Sequence, residues 1–177
     1  EDPKFYYNCF IRINGAEDKT TYANELYQFY LNLRNSGRQI VIVNESLGRP
    51  AMEEIAAVRR RHYTKSDQLI MDLSSNISFA QQPELQRMMV RAFVDVMLME
   101  ADEKDQAQLN LNRLTNQAVY VLCWLKRYQG RLFAGWKESD ISCFIYLGGC
   151  KDENEALFLS LLARLPVDVL ILCPKGS

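Results

Sequence analysis

The stretch that decides the fold is ISCFIYLGGCKDENEALFLSLLARLPVDVLILC, residues 141–173. Ile141 to Leu147 is a short run of apolar, aromatic and β-branched residues, the composition of a buried strand. Gly148-Gly149 breaks it. Asp152 or Glu153 then stands at the start of a helix, where a carboxylate suits the positive end of the helix dipole. Ala156, Leu157, Leu161 and Leu165 share one face of that helix. Pro166 stops it, Val167 to Cys173 reads as a second apolar strand, and Pro174 ends the strand.

Working outward, the amino end repeats this grammar. Phe5 to Ile13 is aromatic and β-branched and reads as a strand, broken at Asn14-Gly15. Asp18 or Thr20 caps a helix in which Tyr22, Leu26, Phe29, Tyr30 and Leu33 recur at i, i+3, i+4 spacing. Ser36-Gly37 closes it as a glycine C-cap does. Gln39 to Val43 follows as a short buried strand. Strand, helix, strand is most simply satisfied by two parallel strands joined by a right-handed crossover.

Between these units the sequence changes character. Pro50 and Ala51 to Arg61 favour a helix. Tyr63 to Ser78 is polar and mixed and predicts a loop or short turns, with Lys65-Ser66-Asp67 read as a helix cap in preference to a polar active-site loop. Pro83 opens a helix with Leu85, Met88, Met89, Ala92, Phe93, Val96 and Met97 on one side. From about Glu103 to Gln129 the residues Ala107, Leu111, Leu114, Ala118, Val121, Leu125 and Tyr128 alternate steps of four and three, a heptad-like stripe. The two long helices are expected to pair as an antiparallel hairpin near Ala101-Asp102-Glu103-Lys104. The methionines at 88, 89, 97 and 99 read as core filling, with an adaptable interface as the rival.

The expected fold class is therefore α/β, a Rossmann-like three-layer domain with a mainly parallel sheet. Its β-α-β units lie at about 5–45 and 141–174, and a helical insertion, the long hairpin, covers about 50–136. The 177 residues suffice for a single domain with a core of its own. A start at Glu1 without methionine suggests that this domain is part of a longer protein.

Composition narrows the function classes. A net charge of -1 gives no overall field that draws the chain to nucleic acid or an acidic membrane surface. Arg59-Arg60-Arg61 is a local basic run and reads as a solvated face, so nucleic acid is not the expected partner. No stretch has the apolar length of a membrane span, and no signal peptide is read at the amino end. The cysteines, Cys9, Cys123, Cys143, Cys150 and Cys173, are odd in number and show no C-x-x-C spacing. Buried reduced thiols in a cytoplasmic protein are the expectation. Cys150 differs, because it lies in the glycine loop, where a helix N-terminus would lower its pKa.

Chemistry in open α/β sheets gathers beyond the carboxyl ends of parallel strands. That rule selects three loops: Asn14 to Thr21, Asn44 to Arg49, and Gly148 to Glu155. Asn14, Gly15, Thr20, Gly148 and Gly149 are the expected shapers of a ligand pocket, and Lys19, Glu45 and Lys151 offer charge. Neither glycine loop matches G-x-G-x-x-G or G-x-x-x-x-G-K-[ST], and a plain structural turn is the competing reading of each. His62 is the only histidine, so a histidine-rich metal site is ruled out and no metal is expected. Its default place is the surface. The adjacent acids Glu17-Asp18, Glu53-Glu54 and Asp152-Glu153 read as solvated surface. No catalytic residue and no cofactor is singled out, which leaves open whether the chain is an enzyme.

Several stretches carry a resemblance. Cys9-Phe10-Ile11-Arg12-Ile13-Asn14-Gly15 with the helix Thr21 to Tyr30, Phe144 to Gly149, Glu155 to Leu159, Leu162 to Leu170 and Ala118 to Tyr128 together resemble the YceG-like family over most of the chain. These are family-flavoured stretches rather than a catalytic signature. The resemblance implies a cytoplasmic bacterial component of a "biosynthetic module" encoded beside tellurite-resistance and stress (Ter) genes. It implies other Ter-associated proteins as partners and a nucleotide-like or sugar-like metabolite as ligand. It brings no catalytic residues with it. The alternative function is a non-catalytic interaction module in a Ter-associated complex, with the hairpin presenting an exposed apolar patch to its partner.

Overall fold

The computed structural model describes residues 8–15, 18–44, 46–102 and 110–173. Among them it is a mixed α/β structure with four strands and six helices. These are β1 (Phe10–Asn14), α1 (Lys19–Asn35), β2 (Ile40–Asn44), α2 (Met52–Ala57), α3 (Ser66–Ser74), α4 (Pro83–Asp102), α5 (Leu111–Leu132), β3 (Ser142–Leu147), α6 (Glu153–Leu162) and β4 (Val167–Cys173). The described residues form two compact units, one within 1–47, 128–151 and 166–177, the other within 48–127 and 152–165.

The first unit holds the sheet. Its order is β1-β4-β3-β2, and every neighbouring pair is parallel. Composition explains the order. The runs SCFIYL and VDVLILC are apolar on both faces, as central parallel strands must be, and β3 and β4 are almost wholly buried. β1 carries Arg12 and Asn14 and is exposed throughout, which suits an edge. β1 and β2 are parallel, as the first strand–helix–strand unit predicts, but they sit at opposite ends of the sheet order.

Helix α1 closes one sheet face. Leu33, Cys143, Ile145, Leu170 and Leu172 form a buried cluster against which Tyr22, Leu26, Ile40 and Leu147 pack. On the alternate positions Val41, Val43, Phe144, Tyr146, Val169 and Ile171 are buried. Tyr128 meets Phe144 edge-on, with ring centroids 5.6 Å apart. Asp18 caps α1 by accepting from the Thr21 amide at 2.7 Å. At the other end Gly37, at φ 73°, takes the left-handed conformation expected just past a helix.

The second unit is helical. α4 packs against α3 and α6, and Trp124 of α5 meets Phe158 of α6 edge-on at 5.9 Å. Trp124 Nε1 also donates to the Gly48 carbonyl at 2.9 Å. Met89 and Met97 are buried with Leu85, Phe93 and Val96, so these two methionines fill core, while Met99 is half exposed.

Three expectations are corrected here. Tyr63 to Ser78 is not loop: α3 forms at its centre, because Leu69, Ile70 and Leu73 recur at helical spacing and are fully buried. The polar residues around them mask that short stripe. α2 stops at Ala57, well before Arg61, since Val58 turns extended. Arg59 to His62 then form an exposed, non-helical segment. Lys65-Ser66-Asp67 does mark a helix start, but Lys65 holds the cap position and no side chain closes it. Residues 5–7, and the junction and first turns expected at 103–109, lie outside the described residues.

Candidate functional site

The parallel register places the carboxyl ends of all four strands along one edge. Two backbone hydrogen bonds draw the loops after β1 and β3 to the end of β4. The Gly15 amide donates to the Cys173 carbonyl at 2.7 Å, and the Gly148 amide donates to the Leu172 carbonyl at 2.8 Å. The Cys173 thiol donates to the Gly148 carbonyl at 3.2 Å. A Cβ at Gly149 would stand 3.9 Å from Cys173 Sγ. The two glycine loops therefore converge on one residue, Cys173, which the sequence presents only as the last member of an apolar strand.

Glycine is required at both hooks. Gly15 has φ 78° and Gly148 has φ 140°, conformations that L side chains rarely adopt. Asn14 ends β1 exposed, its Oδ1 accepting from Arg12 Nε at 2.9 Å. Lys19 and Thr20 form the first turn of α1 and are exposed. Hydrogen bonds from Thr21 hold the Asp18 carboxyl below its usual range, so this helix start already carries a negative charge of its own. Burial pushes the Tyr22 phenol up, and the nearby Cys173 thiol adds to that rise. Tyr22 thus belongs to this edge, although its spacing marks it only as a core-facing helix residue.

The remaining expected residues are placed as follows. The loop after β2 adjoins that after β3, since Asn44 pairs with Leu147. The loop after β1 lies three strand spacings away from it, roughly 14 Å at the usual interval. Glu45 lies outside the described residues. Lys151 and Cys150 are exposed. Asp152 caps α6 by accepting from the Glu155 amide at 2.9 Å.

Connections along the sheet run in opposite directions from the two glycine loops. The chain leaving β1 travels past β4 and β3 to β2, whereas the chain leaving β3 returns to β4. Ligands of open α/β sheets bind outside the carboxyl ends where such a reversal occurs. A concavity of this unit lies elsewhere. A cavity of about 570 Å³ opens at the amino edge, lined by Arg38, Trp136, Asp140 and Asp168 among others. Four of its polar residues, Arg38, Asp168, Trp136 and Asp140, are engaged. Arg38 pairs with Asp168 and donates to the carbonyls of Ile141 at 2.7 Å and Ser142 at 3.2 Å, and Trp136 Nε1 donates to the Asp140 carbonyl at 3.0 Å. That arrangement is a brace for the strand starts. The carboxyl edge is kept as the candidate, because there two strand-to-helix loops meet at the end of β4.

Other sequence features find structural roles. Glu54 binds Arg127 through both oxygens, at 3.1 and 2.6 Å, and that contact holds its carboxyl below the usual range. His62 and the three arginines before it are exposed. Burial pushes the Cys143 thiol up to about 11 and raises that of Cys123. Among the described residues, no group of three or more His, Cys, Asp or Glu side chains is arranged to hold a metal ion. No helix among them is long and apolar enough to cross a membrane.

A family model described as the YceG domain matches residues 1–177. No curated protein and no solved structure matches.

Proposed function

We propose, from the premise that this chain belongs to the YceG domain family, that it binds a nucleotide-like or sugar-like metabolite at the carboxyl edge of its sheet. The observation that carries this reading is the double hook on β4: Gly15 and Gly148 both donate to its last carbonyls and bring two strand-to-helix loops around Cys173. Asn14, Gly15, Thr20, Gly148 and Gly149 would then shape the pocket, with Lys19, Glu45 and Lys151 supplying charge. In the same reading the fold is a Rossmann-like three-layer domain with a helical insertion at about 50–136. Its parallel sheet and the packing of α1 on one face support that. The wider setting is a cytoplasmic bacterial biosynthetic module associated with tellurite resistance and stress response, working beside other Ter-associated proteins.

The rival, an interaction module, needs the apolar stripes of α4 or α5 exposed. Leu114, Ala118, Val121, Leu125 and Tyr128 are buried, as are Leu85, Met89, Phe93, Val96 and Met97. That burial favours the ligand-binding reading, while Leu98 and Met99 at the end of α4 stay exposed.

The test is a thermal-shift series on the whole protein with nucleotides and nucleotide sugars. A ligand of the native state at a hundred times its Kd stabilises by about 2.7 kcal/mol. Gly149→Val crowds Cys173 and is expected to remove the shift. Shifts for none of the compounds would refute the reading.

A further inference from the structure

The helical unit holds a second polar cleft, of about 670 Å³. One wall comes from α5, where Asn112, Asn116, Gln117 and Tyr120 recur on one side. The other comes from the start of α6, including Glu153 and Asn154. Gln117 is 3% exposed. Its Nε2 donates to Glu100 Oε1 at 2.9 Å and to Glu153 Oε2 at 3.2 Å. Both amide hydrogens are therefore used, and turning the amide over would set its oxygen against two carboxylates. The orientation is fixed by chemistry. Yet Gln117 Oε1 is buried with no hydrogen-bond partner among the described residues. A buried acceptor without a donor is destabilising, and such an orphan calls for an occupant.

The surroundings say what kind. Arg113 is already paired with Glu153, and the acids at the start of α6 disfavour an anion. No metal-holding group of side chains is present among the described residues. What remains is a set of amides, each able to donate and accept, beside the ring of Tyr120, which is held edge-on against Trp124 at 5.7 Å. Paired donors and acceptors next to an aromatic surface match a neutral molecule with many hydroxyls. We propose that this cleft binds a sugar or cyclitol, which on entry parts the side chains that cover Gln117 Oε1 so that one hydroxyl donates to it.

Saturation-transfer NMR and calorimetry on the whole protein test this, with methyl α-D-glucopyranoside, N-acetylglucosamine, ribose and myo-inositol as probes. At least one is expected to bind saturably at one site. Gln117→Met keeps the side chain's length without its acceptor and is expected to weaken that binding at least tenfold. Asn116→Ala, at an exposed position, is expected to weaken it in a protein that remains folded by circular dichroism. Gly149→Val, on the sheet's carboxyl edge, is expected to leave it unchanged, so this site and the one proposed above fail separately. Absence of saturable binding by all four probes up to about 50 mM, a Kd well weaker than 1 mM, or binding indifferent to Asn116→Ala and Gln117→Met, would overturn the proposal in favour of a resident water alone.

Discussion

Arg38→Ala is the substitution with the most direct structural cost. Arg38 follows the glycine that ends α1 and ties together the starts of two central strands. Its guanidinium pairs with Asp168 of β4 and donates to the carbonyls of Ile141 and Ser142 at the start of β3. Asp168 in turn accepts from the Cys9 amide at 2.8 Å, just ahead of β1. One side chain thus fastens β3 to β4, and its partner fastens β4 to β1. Both side chains are about a quarter exposed, 28% and 24%, so solvent screens part of the attraction. Hydrogen bonds to a charged group contribute about 1.5–3 kcal/mol each when sheltered. With three acceptors lost and screening allowed for, Arg38→Ala should destabilise by about 2–4 kcal/mol. Asp168→Asn should cost about 1–2 kcal/mol, because the Cys9 bond survives. In the double mutant the two losses should overlap, with a coupling energy of about 1–2 kcal/mol. Urea unfolding followed by circular dichroism measures all three, and the slope should be unchanged. A cost below about 0.5 kcal/mol for Arg38→Ala, or additive losses, would refute the reasoning.

Gly15→Ala meets no atom within 4 Å but must hold φ at 78°, so it should destabilise by about 1–2 kcal/mol. Gly130→Ala, inside α5 and also without a neighbour within 4 Å, should stabilise by up to about 1 kcal/mol; equal signs for the two in thermal unfolding would contradict this. In the native protein an aromatic disulfide reagent at pH 8 should label Cys9 and Cys150 quickly and spare Cys123, Cys143 and Cys173, which are buried, a pattern that peptide mass spectrometry reads. Glu54, depressed by Arg127, contributes stability above its unfolded pKa near 4.5 that is lost as pH falls through the lower folded value. Glu54→Gln should therefore cost about 1 kcal/mol at pH 7 and flatten the acid limb of the stability curve.

Much of this architecture is legible in the sequence, for local reasons. A helix start needs one carboxylate at the right place, and Asp18 and Asp152 are visible as such. A central strand needs apolar residues on both faces, which 142–147 and 167–173 display. What is not legible is non-local. Strand order depends on which edges pair across more than a hundred residues, and nothing near Phe10 announces β4 as its neighbour. For that reason Cys173 reads as one more apolar strand residue, although two glycine loops converge on it. The same limit hides Asp168, whose partner Arg38 is 130 positions away. α3 escapes for a different reason: its apolar stripe is three residues long and is diluted by polar neighbours.

Gly15, Gly148 and Gly149 are proposed to form one ligand-binding edge. Amide chemical-shift mapping of the isotope-labelled protein tests it most directly, with a nucleotide sugar as titrant. Saturable shifts concentrated at Gly15, Thr20, Gly148 and Gly149, lost in Gly149→Val, are expected. Shifts confined to other residues, or no saturable shift at these four amides, would contradict it.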